Sequence, residues 1–296
     1  MLNKKYTVAI EVSKSPQFVF DHIVDLSKWW VEDFTGGKLH LDSVFALTGG
    51  EGHHSTNRVI EFVPGKKFTW ITTGSLREAD NFDWTGTKMI FELTPLGDGT
   101  LIRFTYDGVV LEKDKDKLEE ICDYCMKVLL YNYLESFSTV ITVEKPAEAV
   151  FQSLTKVTSW WSKDFEGSSS KLGDAFIIHH PGQHYSRQQL VEVVPNKRMV
   201  WLVTDSTLDW LQGNKHEWTG TRMTFDIKED ADLITLHFTH EGLTPNKECF
   251  LMCEQGWTMI IKDWLFHFIM HGAESFEIHN AAHIREQMLS EKAKSK

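Results

Sequence analysis

Histidines are the residues best suited to chemistry in this chain, and residues 137–272 are rich in them: His179, His180, His184, His216, His237, His240, His267 and His271. Imidazole can shuttle protons near neutral pH or ligate a metal. His267 and His271 are spaced i, i+4 and share a helix face, a usable ligand spacing. His179 and His180 are adjacent in a strand-like run, so they point to opposite faces and at most one can join an interior site. His180 alternates with Phe176 and Ile178 and could meet His240 inside, as an acid–base or metal pair. The competing reading is histidines that are solvent-exposed or singly hydrogen bonded. Cys122 and Cys125 resemble a CxxC motif but lie in helical pattern, so redox or metal chemistry competes there with buried helix cysteines. Glu61 and Glu192 could be general bases, although a sheet-end carboxylate beside a proline turn is more often solvated. No nucleophile elbow, phosphate loop, paired-histidine zinc helix or calcium loop is present. No catalytic residue, metal or cofactor is expected, and a non-enzymatic role is expected ahead of an enzymatic one.

The elements that must position these residues come twice. Phe20 to Phe34, FDHIVDLSKWWVEDF, returns 131 positions later as Phe151 to Phe165, FQSLTKVTSWWSKDF. The same offset carries Phe45 onto Phe176, Glu61 onto Glu192, Pro64 onto Pro195 and Trp70 onto Trp201. After a three-residue insertion, Trp84-Thr85-Gly86-Thr87 lands on Trp218-Thr219-Gly220-Thr221. The first offset then returns, and Cys122 meets Cys253. Register held over so many tryptophans marks one domain written twice, in units too long for a solenoid repeat. The boundaries expected are residues 1–136 and 137–272, with a charged helical tail over 273–296.

Within each copy the order is strand, helix, a short turn carrying a tryptophan pair, five strands and a long helix. Ser15-Pro16 and Lys145-Pro146 open the first helices. Alternation predicts strands over 44–48, 57–63, 68–72, 88–93 and 100–106, with twins over 175–180, 188–194, 199–203, 222–227 and 233–240. Loops are expected over 73–83 and 204–217. The closing helices, about 115–136 and 247–271, are apolar on more than one side, so each must cover a sheet and touch something else. Gly272 is expected to end the second.

The net charge of −11 disfavours phosphate backbones, so nucleic acid is not an expected partner. No apolar run is long enough to span a membrane, and the N-terminus runs straight into strand pattern without a leader-like segment. The expectation is a cytoplasmic protein. Eleven Trp and nineteen Phe supply aromatic area that must be buried in cores, pockets or interfaces.

This order of elements resembles the helix-grip fold of the START-like (SRPBCC, Bet v 1-like) superfamily. The Phe-(x)8-Trp-Trp segment, the Glu-(x)2-Pro strand end, the Trp-Thr-Gly-Thr stretch and a last helix opening near Gly256-Trp257 are similar to its branch homologous to the activator of the heat-shock-protein-90 ATPase. The resemblance covers both copies. It implies an α+β fold of two tandem domains, each a curved, seven-strand-like antiparallel sheet wrapped around a long C-terminal helix with a cavity between. Relatives bind lipids, sterols or other apolar small molecules, and some act on chaperones in stress responses. Copy one departs from the pattern, with Cys125-Met126 where copy two has Gly256-Trp257, which puts equal function of the two domains in question.

Given that cavity, strand alternation says which side chains face it. In copy one the set is Phe45, Phe68, Trp70, Phe91, Phe104 and Tyr106. In copy two it is Phe176, His180, Trp201, Phe225, Phe238 and His240, with Trp257 and Trp264 from the closing helix. One polar tip per copy, Tyr106 or His240, falls in an otherwise apolar set, the pattern of a small-molecule site. A solidly packed core with one hydrogen-bonded polar residue is the rival, slightly weaker in copy two. The function expected is non-enzymatic binding or carriage of an apolar small molecule. The alternatives are a chaperone partner and a small-molecule enzyme using Tyr106 or His240.

Overall fold

The computed structural model describes residues 2–30, 33–49, 52–230 and 233–272. The charged tail expected from Ala273 onward lies outside the described residues. The chain divides into two compact units, Met1–Glu135 and the residues from Ser136 onward.

The first unit opens with β1 (Leu2–Val12) and a helix over Pro16–Ile23. Ser15 accepts a bond from the Phe18 amide, and Pro16 sits where its missing N–H costs nothing. Apolar spacing turns Val19, Phe20 and Ile23 inward. Then come β2 (Asp33–Thr35), β3 (Val44–Gly49), β4 (His53–Val63), β5 (Lys67–Arg77), β6 (Lys88–Leu96) and β7 (Gly99–Val110). They form one antiparallel sheet in the order β1-β7-β6-β5-β4-β3-β2. The second unit repeats this with β8 (Phe137–Val143), a helix over Ala147–Leu154, β9 (Phe165–Gly167), β10 (Ala175–His180), β11 (His184–Val194), β12 (Arg198–Leu208), β13 (Arg222–Asp230) and β14 (Leu233–Glu241), in the matching order β8-β14-β13-β12-β11-β10-β9.

The duplication extends to irregularities. The β4–β5 pairing slips between Thr56 and Asn57 and again between Val59 and Glu61. The β11–β12 pairing slips at the same two places, between Arg187 and Gln188 and between Leu190 and Glu192. Such bulges bend strands, and here they curl each sheet around its helix.

Two local expectations change. The strands β2 and β9 were not foreseen, because three residues are too few to show an alternation. The loops expected over 73–83 and 204–217 are partly strand. Residues Gly74–Arg77 pair with His53–Thr56, and Asp205–Leu208 pair with His184–Arg187. The apolar alternation weakens beyond Thr72 and Val203, but backbone pairing continues.

Each sheet clasps a long helix. In the first unit it runs through Lys115–Tyr124, a π-helical turn over Cys125–Leu130, and Tyr131–Glu135. In the second it runs through Phe250–Met259, a π turn over Ile260–Leu265, and Phe266–His271. Gly272, at φ +79°, ends it, its amide donating to Phe268 O. The buried carboxylate of Glu135 ties the first helix to the end of β1. It accepts from both the amide and the hydroxyl of Ser13, each at 2.7 Å. The core lies between sheet and helix: Phe68, Phe91 and Phe104 sit across neighbouring strands and are buried. Each such ring contributes roughly 1.5–3 kcal/mol by leaving water. The fold is α+β, two helix-grip domains in tandem.

Candidate functional site

The first unit holds a cavity of about 530 Å³ between sheet and helix. Its inner wall is Trp30, Leu47, Trp70 and Met89, its outer wall Phe82, Trp84, Leu118 and Ile121. The tryptophan pair divides its labour. Trp29 is buried and donates from Nε1 to Ile23 O at 3.1 Å, while Trp30 stays half-buried and faces the cavity.

A short polar seam crosses this apolar wall. Thr72 Oγ1 donates to Asn57 Oδ1, and Asn57 Nδ2 donates to Ser55 Oγ, both at 3.0 Å. Tyr106 also lines the cavity, but its hydroxyl donates to Val109 O at 2.5 Å. Burial raises its pKa, so the phenol stays protonated. Arg77 closes one end, paired with Asp80 and Asp114, and its pKa is raised by those bonds.

Of the residues expected to face a ligand in this unit, Trp70 and Tyr106 line the cavity. Phe45, Phe68, Phe91 and Phe104 are buried behind it and support its wall. His53, Arg77, Phe82, Trp84 and Asp114 were not singled out from sequence. His53 lies ahead of the expected start of its strand and Arg77 beyond the expected end of its own, and Trp84 stands in the sequence only as part of the repeated Trp-Thr-Gly-Thr motif.

In the second unit the equivalent space is occupied. Trp257, standing where the first unit has Met126, packs against Phe238 at 4.7 Å between ring centroids, Trp161 at 5.0 Å and Trp218 at 5.8 Å. Trp161, Trp218 and Met223 are buried, whereas their counterparts Trp30, Trp84 and Met89 are half-buried. Phe176, Trp201 and Phe225 are fully enclosed in the same cluster, and Trp264 is half-buried on the closing helix.

His240 is locked into this plug. Trp257 Nε1 donates to His240 Nδ1 at 2.9 Å, so the ring proton sits on Nε2, 2.9 Å from Thr221 Oγ1. Thr221 Oγ1 in turn donates to Trp218 O at 2.5 Å. Burial, then the charges of Lys247 and His184, push the imidazole down to about 3. His180 does not join it. It is half-buried beside His184, and burial also lowers its pKa. The histidine that turns inward is His184, bonded to Ser186 Oγ at 2.8 Å and packed on Trp218. The sequence placed His180 in phase with Phe176, but β10 ends there and β11 begins at His184.

All four cysteines are free and buried, and burial lifts Cys122 to about 12 and Cys125 to about 11, which keeps both protonated. Glu61 accepts from Thr69 Oγ1 at 2.7 Å and pairs with Lys67 at 3.1 Å, which holds it ionised. Glu192 pairs with Arg198 at 3.1 Å. His267 and His271 have ring centroids 6.0 Å apart, and His267 Nδ1 lies 2.7 Å from Asp263 O. Among the described residues no group of three or more His, Cys, Asp or Glu could hold a metal ion. No helix among them is long and apolar enough to cross a membrane.

Residues 144–265 match the family model of the Activator of Hsp90 ATPase homolog 1-like protein. That stretch lies within the second unit, whose sheet and closing helix carry the motifs that resemble the same family. No curated protein matches the chain. Among solved structures, the chain is similar to the Aha1 dimer from Colwellia psychrerythraea, at 18% identity over 46% of this chain and 97% of that one, with a TM-score of 0.38. It is also similar to the di-domain ARO/CYC StfQ from the steffimycin biosynthetic pathway, at 12% identity over 92% of this chain and 98% of that one, with a TM-score of 0.39. A START superfamily protein from Mycobacterium smegmatis is 16% identical over 44% of this chain and 96% of that one, with a TM-score of 0.37.

Proposed function

We propose that the first unit binds a small apolar molecule between its sheet and its long helix, and that the second unit is a plugged copy with a structural role. The observation that carries this is the cavity of about 530 Å³ in one copy where the other is filled by Trp257. That volume lies within the range of small-molecule sites, and mostly apolar walls with a few polar groups are their usual lining. Catalysis by Tyr106 or His240 is not favoured. The Tyr106 hydroxyl is spent on Val109 O, and both nitrogens of His240 are spent inside the plug.

The test copies the plug into the first unit. Met126→Trp places at the matching position the side chain that fills the second unit. Titration with the neutral fluorescent probe N-phenyl-1-naphthylamine should show one saturable site on the wild-type chain and none on Met126→Trp, with circular dichroism unchanged. Equal uptake by both proteins would refute the proposal. The family match over 144–265 favours one second reading, a chaperone contact made by the second unit. Pull-down with a heat-shock-protein-90 homologue, unaffected by Met126→Trp, is the outcome that reading expects.

A further inference from the structure

Arg77 stands in the wall of the cavity with its side chain 14% exposed. Two carboxylates hold it. Nε donates to Asp80 Oδ1 at 2.7 Å, and Nη2 donates to Asp80 Oδ2 and to Asp114 Oδ2, both at 2.6 Å. A guanidinium carries five N–H donors. The two on Nη1 have no acceptor among the described residues. The planar fork is clamped, so these donors are held in place before any ligand arrives.

The cluster is also balanced in charge. Asp80 accepts from Lys113 Nζ at 2.8 Å, so Arg77 and Lys113 are matched by Asp80 and Asp114. Lys117 stands in the same wall but is exposed, so solvent screens its charge. Arg77 therefore offers the cavity hydrogen-bond donors without offering net charge. A neutral oxygen finds donors there, whereas a carboxylate would bring a third anion beside Asp80 and Asp114 and lose its hydration. The second unit supplies the contrast. Leu208, fully buried, pairs with His184 as Arg77 pairs with His53, and it has no donor to give.

Building on the binding role proposed for this cavity, we infer that its ligand is an apolar molecule carrying a neutral oxygen acceptor, a ketone, ester or alcohol, and that Arg77 selects for that oxygen. The aromatic side chains of Trp30, Trp70, Phe82 and Trp84 in its lining suit a ring system as the apolar body.

Three probes of nearly equal shape test this by calorimetry on the full chain: acetylnaphthalene, naphthoic acid and ethylnaphthalene. Acetylnaphthalene should bind roughly ten-fold tighter than ethylnaphthalene, the effect of one hydrogen bond from a charged donor. Naphthoate should bind no tighter than ethylnaphthalene. Arg77→Lys keeps the cation that Asp80 and Asp114 require but withdraws the Nη1 donors, so the preference for the ketone should vanish while ethylnaphthalene affinity holds. A preference that survives in Arg77→Lys, or naphthoate binding tightest, overturns the inference. Should Arg77→Lys fail to fold, the carbonyl stretch of isotope-labelled acetylnaphthalene on the wild-type chain decides. A shift to lower frequency on binding supports the bond to Arg77, and an unshifted band overturns it. Binding of ethylnaphthalene without any gain for the ketone removes Arg77's role and leaves the cavity reading standing. Failure of all three probes to bind removes the cavity reading and this inference together.

Discussion

Mild acid should loosen the second unit and spare the first. His240 is fully buried and neutral, accepting from Trp257 through Nδ1. Protonation would set an N–H against the Trp257 N–H and charge an imidazole whose hydrogen-bond partners, Trp257 and Thr221, include no carboxylate. In the unfolded chain the same ring titrates near the ordinary histidine value, about 6.5, whereas in the folded unit it is pushed down to about 3. The unfolded state therefore binds more protons across that window. The stability that His240 contributes is complete above pH ~6.5 and is lost as pH falls, at about 1.4 kcal/mol per pH unit. Between pH ~7.5 and pH ~5 the loss is about 2 kcal/mol. His184, pushed down to about 3 chiefly by burial, adds to it with the same sign. It keeps some contact with solvent, so its share is smaller. In the first unit Asp80, Asp83 and Asp123 have lowered pKa values, so their contribution is lost only as pH falls below the usual carboxylate range, under ~4. Hydrogen exchange read by mass spectrometry separates the two. At pH ~5, after correction for intrinsic rates, protection in β14 should fall by a factor of roughly thirty, equivalent to the ~2 kcal/mol above, while β7 holds steady. Equal protection of β14 at both pH values would refute the neutral, locked histidine.

Two further outcomes are expected. Trp257→Met, which gives the second unit the first unit's residue, should cost about 2–4 kcal/mol in urea melts through the cavity it leaves and the bond to His240 it removes, and should create a second site for N-phenyl-1-naphthylamine. Gly108→Ala should destabilise the first unit by about 1–3 kcal/mol in the same assay, because a Cβ there would stand 2.2 Å from Thr87 Oγ1 on the buried neighbouring strand end.

Much of the architecture was legible in the sequence because it is periodic. Alternating apolar residues place Phe68, Phe91 and Phe104 on one face, and the repeated tryptophans carry the same pattern into the second copy. The difference between Met126 and Trp257 was also legible as a difference in residue type, but not its consequence. Whether a large ring fills a hollow or rims it depends on neighbours from other elements, and Phe238, Trp161 and Trp218 meet Trp257 from three separate stretches of chain. His180 and His184 show the same limit. Local alternation favoured His180, but the inward side chain is the one where β11 begins across the turn. Arg77 was hidden for a related reason, in a strand extension held by backbone pairing with little apolar pattern.

By itself, the sequence determined a domain written twice, its sheet-and-helix composition and the side chains available to its cores, since these follow from local spacing and repetition. Tertiary structure alone decided that Trp30, Trp84 and Met89 line a hollow in one copy while their counterparts Trp161, Trp218 and Met223 are buried in the other. Free volume is what remains after side chains from distant segments have packed, and no single segment carries it.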